Sequence, residues 1–219
     1  MRFRAGLTVG CLVVSLCATA VAGKKEGLPL VFKDSFKGDL SQWVMTDAEA
    51  WKSDKDGKKD VMSLFGKSDY QPKVRSPHNI AWIKDLELSD FIMDVRVRQS
   101  GREYGHRDTC FFFGKEDASH FYYVHIATVA DPHAHSVFLV NGEPRVSVCD
   151  DRTDGVQWEN TYHDIRIKRD SKSGTIEVYF DDMEMPIMKT TDKTFLKGSI
   201  GVGSFDDTAN FDSVKIWGR

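Results

Sequence analysis

Residues 90–98 read DFIMDVRVR. Phe91, Met93, Val95 and Val97 fall on one side of an extended chain, and Ile92, Asp94, Arg96 and Arg98 on the other. Alternation at a period of two marks a strand with one face in a core and one in water. The same period recurs downstream. YHDIRIKR (162–169) sets Ile165 and Ile167 against Asp164, Arg166 and Lys168, and GTIEVYF (174–180) sets Ile176, Val178 and Phe180 against Glu177 and Tyr179. SVFLVNGEPRVSV (136–148) carries Asn141-Gly142 between two apolar runs, which predicts a hairpin closed by a tight turn with positive φ. Further strands are expected near 30–36, 60–65, 79–83, 107–113, 121–126, 198–205 and 209–217, with turn residues between them and almost no helix. Many short strands at such spacing predict an all-β, two-sheet antiparallel sandwich of jelly-roll type.

The first 22 of the 219 residues read differently. MRFRAG is a short basic start, LTVGCLVVSLCATA is an apolar run short for a membrane span, and Ala20-Val21-Ala22 supplies the small residues of a cleavage site. We therefore expect a signal peptide over 1–22, a single domain over 23–219, and a secreted or periplasmic protein. No later apolar stretch is long enough to span a bilayer. A net charge of −3 speaks against non-specific nucleic-acid binding. Of the four cysteines, Cys110 and Cys149 lie in the mature part, and the sequence leaves a disulfide between them open. KSDKDGKKD (52–60) reads as a solvated hairpin tip and lacks the ligand ladder of a calcium loop.

The order of motifs carries a resemblance. FKDSFKGDLSQW (32–43) opens the domain, AWKSDKDGKKDVMSLFG (50–66) and LELSDFIMDVRVR (86–98) follow, and YHDIRIKRDSKSGTIEVYFDD (162–182) and LKGSIGVGSFDDTANFDSVKIW (196–217) close it. Over residues 30–218 the chain resembles the concanavalin A-like lectin/glucanase superfamily, the jelly roll of laminin-G-like domains, family 16 glycoside hydrolases and 3-keto-disaccharide hydrolases. The resemblance implies a polysaccharide or oligosaccharide partner on the concave face of one sheet. It also implies a structural Ca2+ near the chain ends, with Asp34 and Asp212 at the matching positions. The chain departs from the hydrolase patterns. The family 16 run E-x-D-x-x-E is missing, with DDMEMP (181–186) its nearest counterpart, and CFFFGKEDASHFYY (110–123) replaces the Gly-Asn-Ser-Gly stretch of the 3-keto-disaccharide group. One fold hosts lectins, hydrolases, lyases and adhesion modules, so activity has to be argued from the site.

The polar faces of the strands supply the candidate residues. Asp94, Arg96 and Arg98 face away from the core of their strand. In HFYYVHIA (120–127), Tyr122, Val124 and Ile126 form the better core set, which leaves Tyr123 and His125 on the polar face. Asp108, Cys110 and Phe112 are expected on the same side, with Phe111 and Phe113 inside; Arg145 joins them, with Val146 and Val148 inward. Five of the seven histidines lie between 106 and 135, and His106, His133 and His135 are placed at the rim. Aromatic rings pack on pyranose faces, guanidinium groups pair with hydroxyls and carboxylates, and several arginines on a net-acidic chain favour an anionic glycan. For cleavage, Asp94 with Asp108 are the candidate carboxyl pair of a hydrolase, and His125 and Tyr123 with the arginines are the candidates for a uronate lyase. A zinc site at DPHAH (131–135), using His133 and His135 with His125 or Asp131, is a third candidate. Against these stands a non-catalytic binding or laminin-G-like adhesion module. His163 reads as structural.

Overall fold

The computed structural model describes residues 23–219. The signal peptide expected over residues 1–22 lies outside the described residues. In chain order the strands are β1 (Lys24–Lys25), β2 (Leu28–Asp34), β3 (Trp43–Met45), β4 (Trp51–Asp56), β5 (Lys59–Leu64), β6 (Asn79–Leu88), β7 (Phe91–Gln99), β8 (Asp108–Asp117) and β9 (His120–Ala127). They continue with β10 (Ser136–Asn141), β11 (Val146–Ser147), β12 (Asp151–Arg152), β13 (His163–Asp170), β14 (Thr175–Phe180), β15 (Met188–Thr191), β16 (Gly198–Ser204) and β17 (Ala209–Gly218). Among the described residues they form two antiparallel sheets, of ten and of seven strands. The larger runs β1-β2-β17-β7-β13-β14-β15-β12, with the β4–β5 hairpin joined to β17. The smaller runs β11-β10-β9-β8-β16-β6-β3. This is the sandwich that the alternating strands predict.

The main core lies between the sheets. β7 contributes Phe91, Met93, Val95 and Val97, and β8 and β9 contribute Phe111, Phe113, Tyr122, Val124 and Ile126. Each of these is at most 3% exposed. The charged tip read at 52–60 is the β4–β5 hairpin, with Asp56 opposite Lys59 and Gly57 at φ +62, the left-handed value a tight turn requires.

The outer face of the seven-stranded sheet carries a second apolar cluster. Ile80, Trp82, Cys110, Phe112, Phe121, Tyr123, Phe138 and Val140 line it, and all are 7% exposed or less. The connection between β5 and β6, residues 65–78, roofs this face. Val74 and Phe205 pack onto the cluster, and three hydrogen bonds pin the roof: Asp69 N to Asp47 Oδ2 (2.7 Å), His78 N to Phe205 O (3.0 Å) and Arg145 N to Arg75 O (3.1 Å). Beneath it Tyr123 stacks on Phe138 at 5.2 Å and on Phe112 at 5.9 Å. Aromatic pairs of this kind contribute about 0.5–1.5 kcal/mol beyond the area they bury.

The expected hairpin forms, with Gly142 at φ +74, but its turn is longer than two residues. Leu139 pairs with Val146 and Phe138 with Ser147, so the strands are joined by a longer loop in place of a two-residue turn. Pro144 cannot donate to a ladder, and the Arg145 amide is drawn to the roof. As a result Val146, expected in the core, is 54% exposed. Cys110 and Cys149 are both free thiols, so no disulfide joins them.

Candidate functional site

β8 and β9 are adjacent, with Cys110 opposite His125 and Phe112 opposite Tyr123. Their outward side chains therefore share one row, and at its end sit Asp108 and His125. The Asp108 carboxylate is fully buried and is held from several sides. Ser204 Oγ donates to Oδ1, the Phe205 amide lies 3.1 Å from Oδ2, and the Cys110 thiol donates to Oδ2 at 3.5 Å. His125 Nε2 faces Oδ2 as an ion-pair contact. That contact occupies Nε2, and Nδ1 is buried without a hydrogen-bond partner.

Above this group opens a pocket of about 210 Å³, lined by Arg75, Arg102, Tyr104, His106, His125, His133, Arg145, Phe205 and Asp206. Arg145 is its central wall. The guanidinium carbon stands 4.3 Å from the Phe205 ring centre and 4.6 Å from that of Phe138. Nη1 donates to the Tyr123 hydroxyl, and Nη2 to the His133 carbonyl at 2.7 Å. His106 pairs with Asp131, which also accepts from the His133 backbone amide at 2.7 Å, so one carboxylate holds the His106 ring and the chain at His133. Tyr104 donates to Asp207 Oδ2 at 2.8 Å, and the Asp108 amide donates to the same oxygen at 3.1 Å. Burial, with the neighbouring Asp108 and Asp206 charges, raises the Asp207 pKa to about 6. Burial likewise pushes the Tyr123 phenol well above its ordinary value, so it stays neutral. Larger clefts occur elsewhere, one of about 460 Å³ beside Trp158 and one of about 370 Å³ by Asp90 and Arg219. Neither gathers imidazoles with cations and aromatic faces.

The expected site residues separate into two groups. His106, His125, His133 and Arg145 meet at this pocket, with Asp108 and Tyr123 directly beneath it. Asp94, Arg96 and Arg98 do not join them. β7 belongs to the ten-stranded sheet, and its polar side looks outward on the opposite side of the core. Asp94 and Asp108 are thus on different sheets and form no carboxyl pair. Asp94 is instead bound by Arg166 at 2.7 and 2.9 Å and by Lys25. Burial works to raise its pKa, but those hydrogen bonds outweigh it and hold the carboxyl below its ordinary range. Arg96 pairs with Asp164 at 2.8 Å and Arg98 with Asp56 at 2.7 Å.

His135 is also set apart. It is fully buried, at φ +53, with its Nδ1 accepting from the Ala127 amide at 3.4 Å and its Nε2 3.0 Å from the Thr153 hydroxyl. Burial lowers its pKa to about 4, so it is a neutral, structural imidazole. The loop holding it is clamped by Arg152, whose Nη1 donates to the carbonyls of Asp131, Ala134 and His135. His133 is exposed while His135 is buried, so the DPHAH pair does not converge on a metal.

The donors expected for calcium do not fit it. Asp34 accepts from the Phe36 amide at 2.8 Å and Trp43 Nε1 at 2.9 Å, and Asp212 faces two cations, Lys59 and Arg96. Calcium wants six to eight oxygens and no competing cation.

Arg75, Arg102, Tyr104, Phe205 and Asp206 complete the pocket and were not singled out by the sequence. Arg102 and Tyr104 stand in GREYGHRD, just before β8, where their clustering with His106 was a usable signal. Arg75 and Phe205 reach the pocket only through the roof and the loop after β16, which no local pattern reveals.

No protein-family model matches the chain, and no curated protein matches it. Solved structures do. The carbohydrate binding module CBM66 from Bacillus subtilis superposes with a TM-score of 0.59 at 15% identity, over 80% of this chain and 95% of that one. A putative glycosyl hydrolase from Parabacteroides distasonis gives 0.56 at 16% identity, over 86% and 100%. The GH43 protein BlXynB from Bacillus licheniformis gives 0.59 at 12%, over 85% of this chain but only 39% of its own length. At such identities the likeness shows the fold alone: an all-β, two-sheet antiparallel sandwich of jelly-roll type.

Proposed function

We propose that the chain is a carbohydrate-recognising sandwich domain that takes an acidic sugar in the pocket walled by Arg145. The observation that carries this reading is the convergence of three arginines, three histidines and two aromatic side chains on one small opening. Arg75 and Arg102 are exposed and carry no carboxylate partner among the described residues, so they are available to a ligand carboxylate or sulfate. Arg145 spends its donors on Tyr123 and the His133 carbonyl, which fixes the wall and leaves its charge facing the opening. Phe205 and Tyr104 border the opening, each with a guanidinium over one ring face, Arg145 at 4.3 Å and Arg102 at 4.6 Å, so a pyranose would have to use the other face. The volume lies below the range that holds drug-sized ligands, which suits a single sugar unit. Three sandwich relatives whose names say carbohydrate-binding or glycosyl hydrolase support the same class of partner. The reading also takes the protein to be exported, as the residues before the domain suggest.

Cleavage is a second reading, favoured by one observation: a histidine backed by a buried carboxylate at the pocket floor. An imidazole so oriented is the usual means of moving a proton at neutral pH. Its nitrogens are shielded from solvent, so a substrate would first have to displace Phe205 or Arg145.

The test is titration of the 23–219 chain with neutral, uronate and sulfated oligosaccharides, read by calorimetry and affinity electrophoresis. Reducing ends and the near-ultraviolet absorbance of an unsaturated uronate are followed in parallel. Binding of an acidic sugar, weakened by salt and by Arg102→Ala, is expected. Binding to neutral glycans alone, or to none, overturns the reading. New reducing ends or absorbance would add the catalytic reading.

A further inference from the structure

The floor of the pocket holds a group that sugar recognition does not need. Asp108, Cys110 and His125 are each at most 3% exposed. Asp108 and Cys110 are two apart on β8, and Cys110 is directly opposite His125 on β9, so all three project from one face. One oxygen, one sulfur and one ring nitrogen from them lie within 4.8 Å of one another. A tetrahedral zinc with bonds of about 2.0–2.3 Å spaces its ligands by roughly 3.3–3.8 Å. The thiol already lies 3.5 Å from Asp108 Oδ2, and the imidazole touches the same oxygen.

His125 supplies an independent observation. A buried imidazole ordinarily finds a hydrogen-bond partner for each nitrogen, and leaving one bare costs about 1–3 kcal/mol. Here Nδ1 lacks one, and Nε2 has only its direct contact with the Asp108 carboxylate. A metal set between imidazole, thiolate and carboxylate would replace that contact.

The donor chemistry selects the ion. Calcium and magnesium want oxygen alone, whereas one nitrogen, one thiolate and one carboxylate suit a borderline-soft divalent metal. Thiolate and carboxylate together carry two negative charges, which a divalent cation cancels in an apolar surround. Without a metal, burial and the Asp108 charge keep the Cys110 thiol protonated. The carboxylate is also oriented from outside the group, by Ser204 and the Phe205 amide, as ligating carboxylates commonly are.

We infer that Asp108, Cys110 and His125 form a binding site for a divalent transition metal of the zinc type. Binding exchanges the thiol proton for the metal: the S–H bond breaks, the proton leaves to solvent, and the sulfur lone pair forms the bond to the ion. This goes beyond carbohydrate recognition and does not depend on it. It also assigns His125 as a ligand, which removes it as a proton carrier.

The experiment uses the 23–219 chain stripped with chelator and then dialysed against zinc, with metal counted by mass spectrometry. About one zinc per chain is expected. Cobalt in its place should give a thiolate-to-metal charge-transfer band, a signature that only cysteine ligation produces. Cys110→Ser should abolish the band and weaken zinc at least tenfold. A variant with both His106→Ala and His133→Ala should keep both properties. Circular dichroism of the stripped Cys110→Ser protein checks that it folds; should it not, the cobalt band of a Cys149→Ser chain, whose one thiol is Cys110, decides. A wild-type chain that keeps no stoichiometric zinc, or binds cobalt without that band, overturns the inference. Zinc lost in the His106/His133 variant would place the metal at the rim and overturn it equally.

Discussion

Asp207→Asn should change how stability depends on pH, by an amount that can be worked out beforehand. Asp207 is 8% exposed, and burial together with the Asp108 and Asp206 charges raises its pKa from 3.8 to about 6. Between those values the folded chain holds a proton that the unfolded chain has lost, so this residue makes stability fall as pH rises. The contribution is complete below pH 3.8 and gone above about 6. The interval corresponds to about 3 kcal/mol at about 1.36 kcal/mol per pH unit. Asparagine cannot ionise and lacks this fall. It also alters the hydrogen bonds from the Tyr104 hydroxyl and the Asp108 amide, but that cost does not vary over the same interval. The quantity to measure is the difference in urea unfolding free energy, variant minus wild type, at several values between about pH 4 and pH 7. Groups common to both proteins cancel in it. The difference should climb by about 3 kcal/mol, with most of the climb below about pH 6. A flat difference, or one that declines with pH, would refute the reasoning about Asp207.

Three shorter predictions concern the rest of the molecule. Arg145→Ala strips the wall from Phe205 and Phe138 and strands the buried Tyr123 hydroxyl; it should cost about 2–3 kcal/mol in denaturant unfolding and abolish acidic-sugar binding. Arg96→Ala and Arg98→Ala lie on the other sheet, so each should leave sugar affinity unchanged in calorimetry and shift stability by no more than about 1 kcal/mol. Gly203→Ala would put a methyl 1.9 Å from the Asn79 carbonyl, forcing β16 away from β6, and a loss above about 3 kcal/mol or failure to fold is expected on thermal denaturation.

The faces of individual strands were legible because a strand's period is local. Alternation sent Tyr122, Val124 and Ile126 to the core and Tyr123 and His125 to the opposite face, as observed, but that face, expected to be polar, is a second buried apolar cluster under the roof. What alternation cannot convey is which sheet a strand joins. Asp94 and Asp108 both stand on outward faces, yet β7 lies between β17 and β13 while β8 lies between β9 and β16, and these neighbours are set by pairing across long stretches of chain. Asp94, Arg96 and Arg98 were therefore assigned to the wrong side of the sandwich. At Asn141-Gly142 the hairpin and the positive φ were legible but the length of the turn was not: the Arg145 amide bonds to the roof, and Pro144 cannot donate to the ladder. His135 was invisible as a core residue because its burial comes from the loop that Arg152 folds around it.

The roof over the seven-stranded sheet determines how a polymer can meet this protein. An uncovered sheet face would let a chain of sugars lie lengthwise across the strands and be gripped at internal positions. Here Val74 and Phe205 cover part of that trough with the protein's own side chains, and the opening beside Arg145 sits at one end of it. If the pocket takes an acidic sugar as proposed, a long glycan would meet it by its terminus. Affinity should then scale with the number of chain ends in a sample and be indifferent to chain length, so that shortening a polysaccharide at constant mass creates more binding sites.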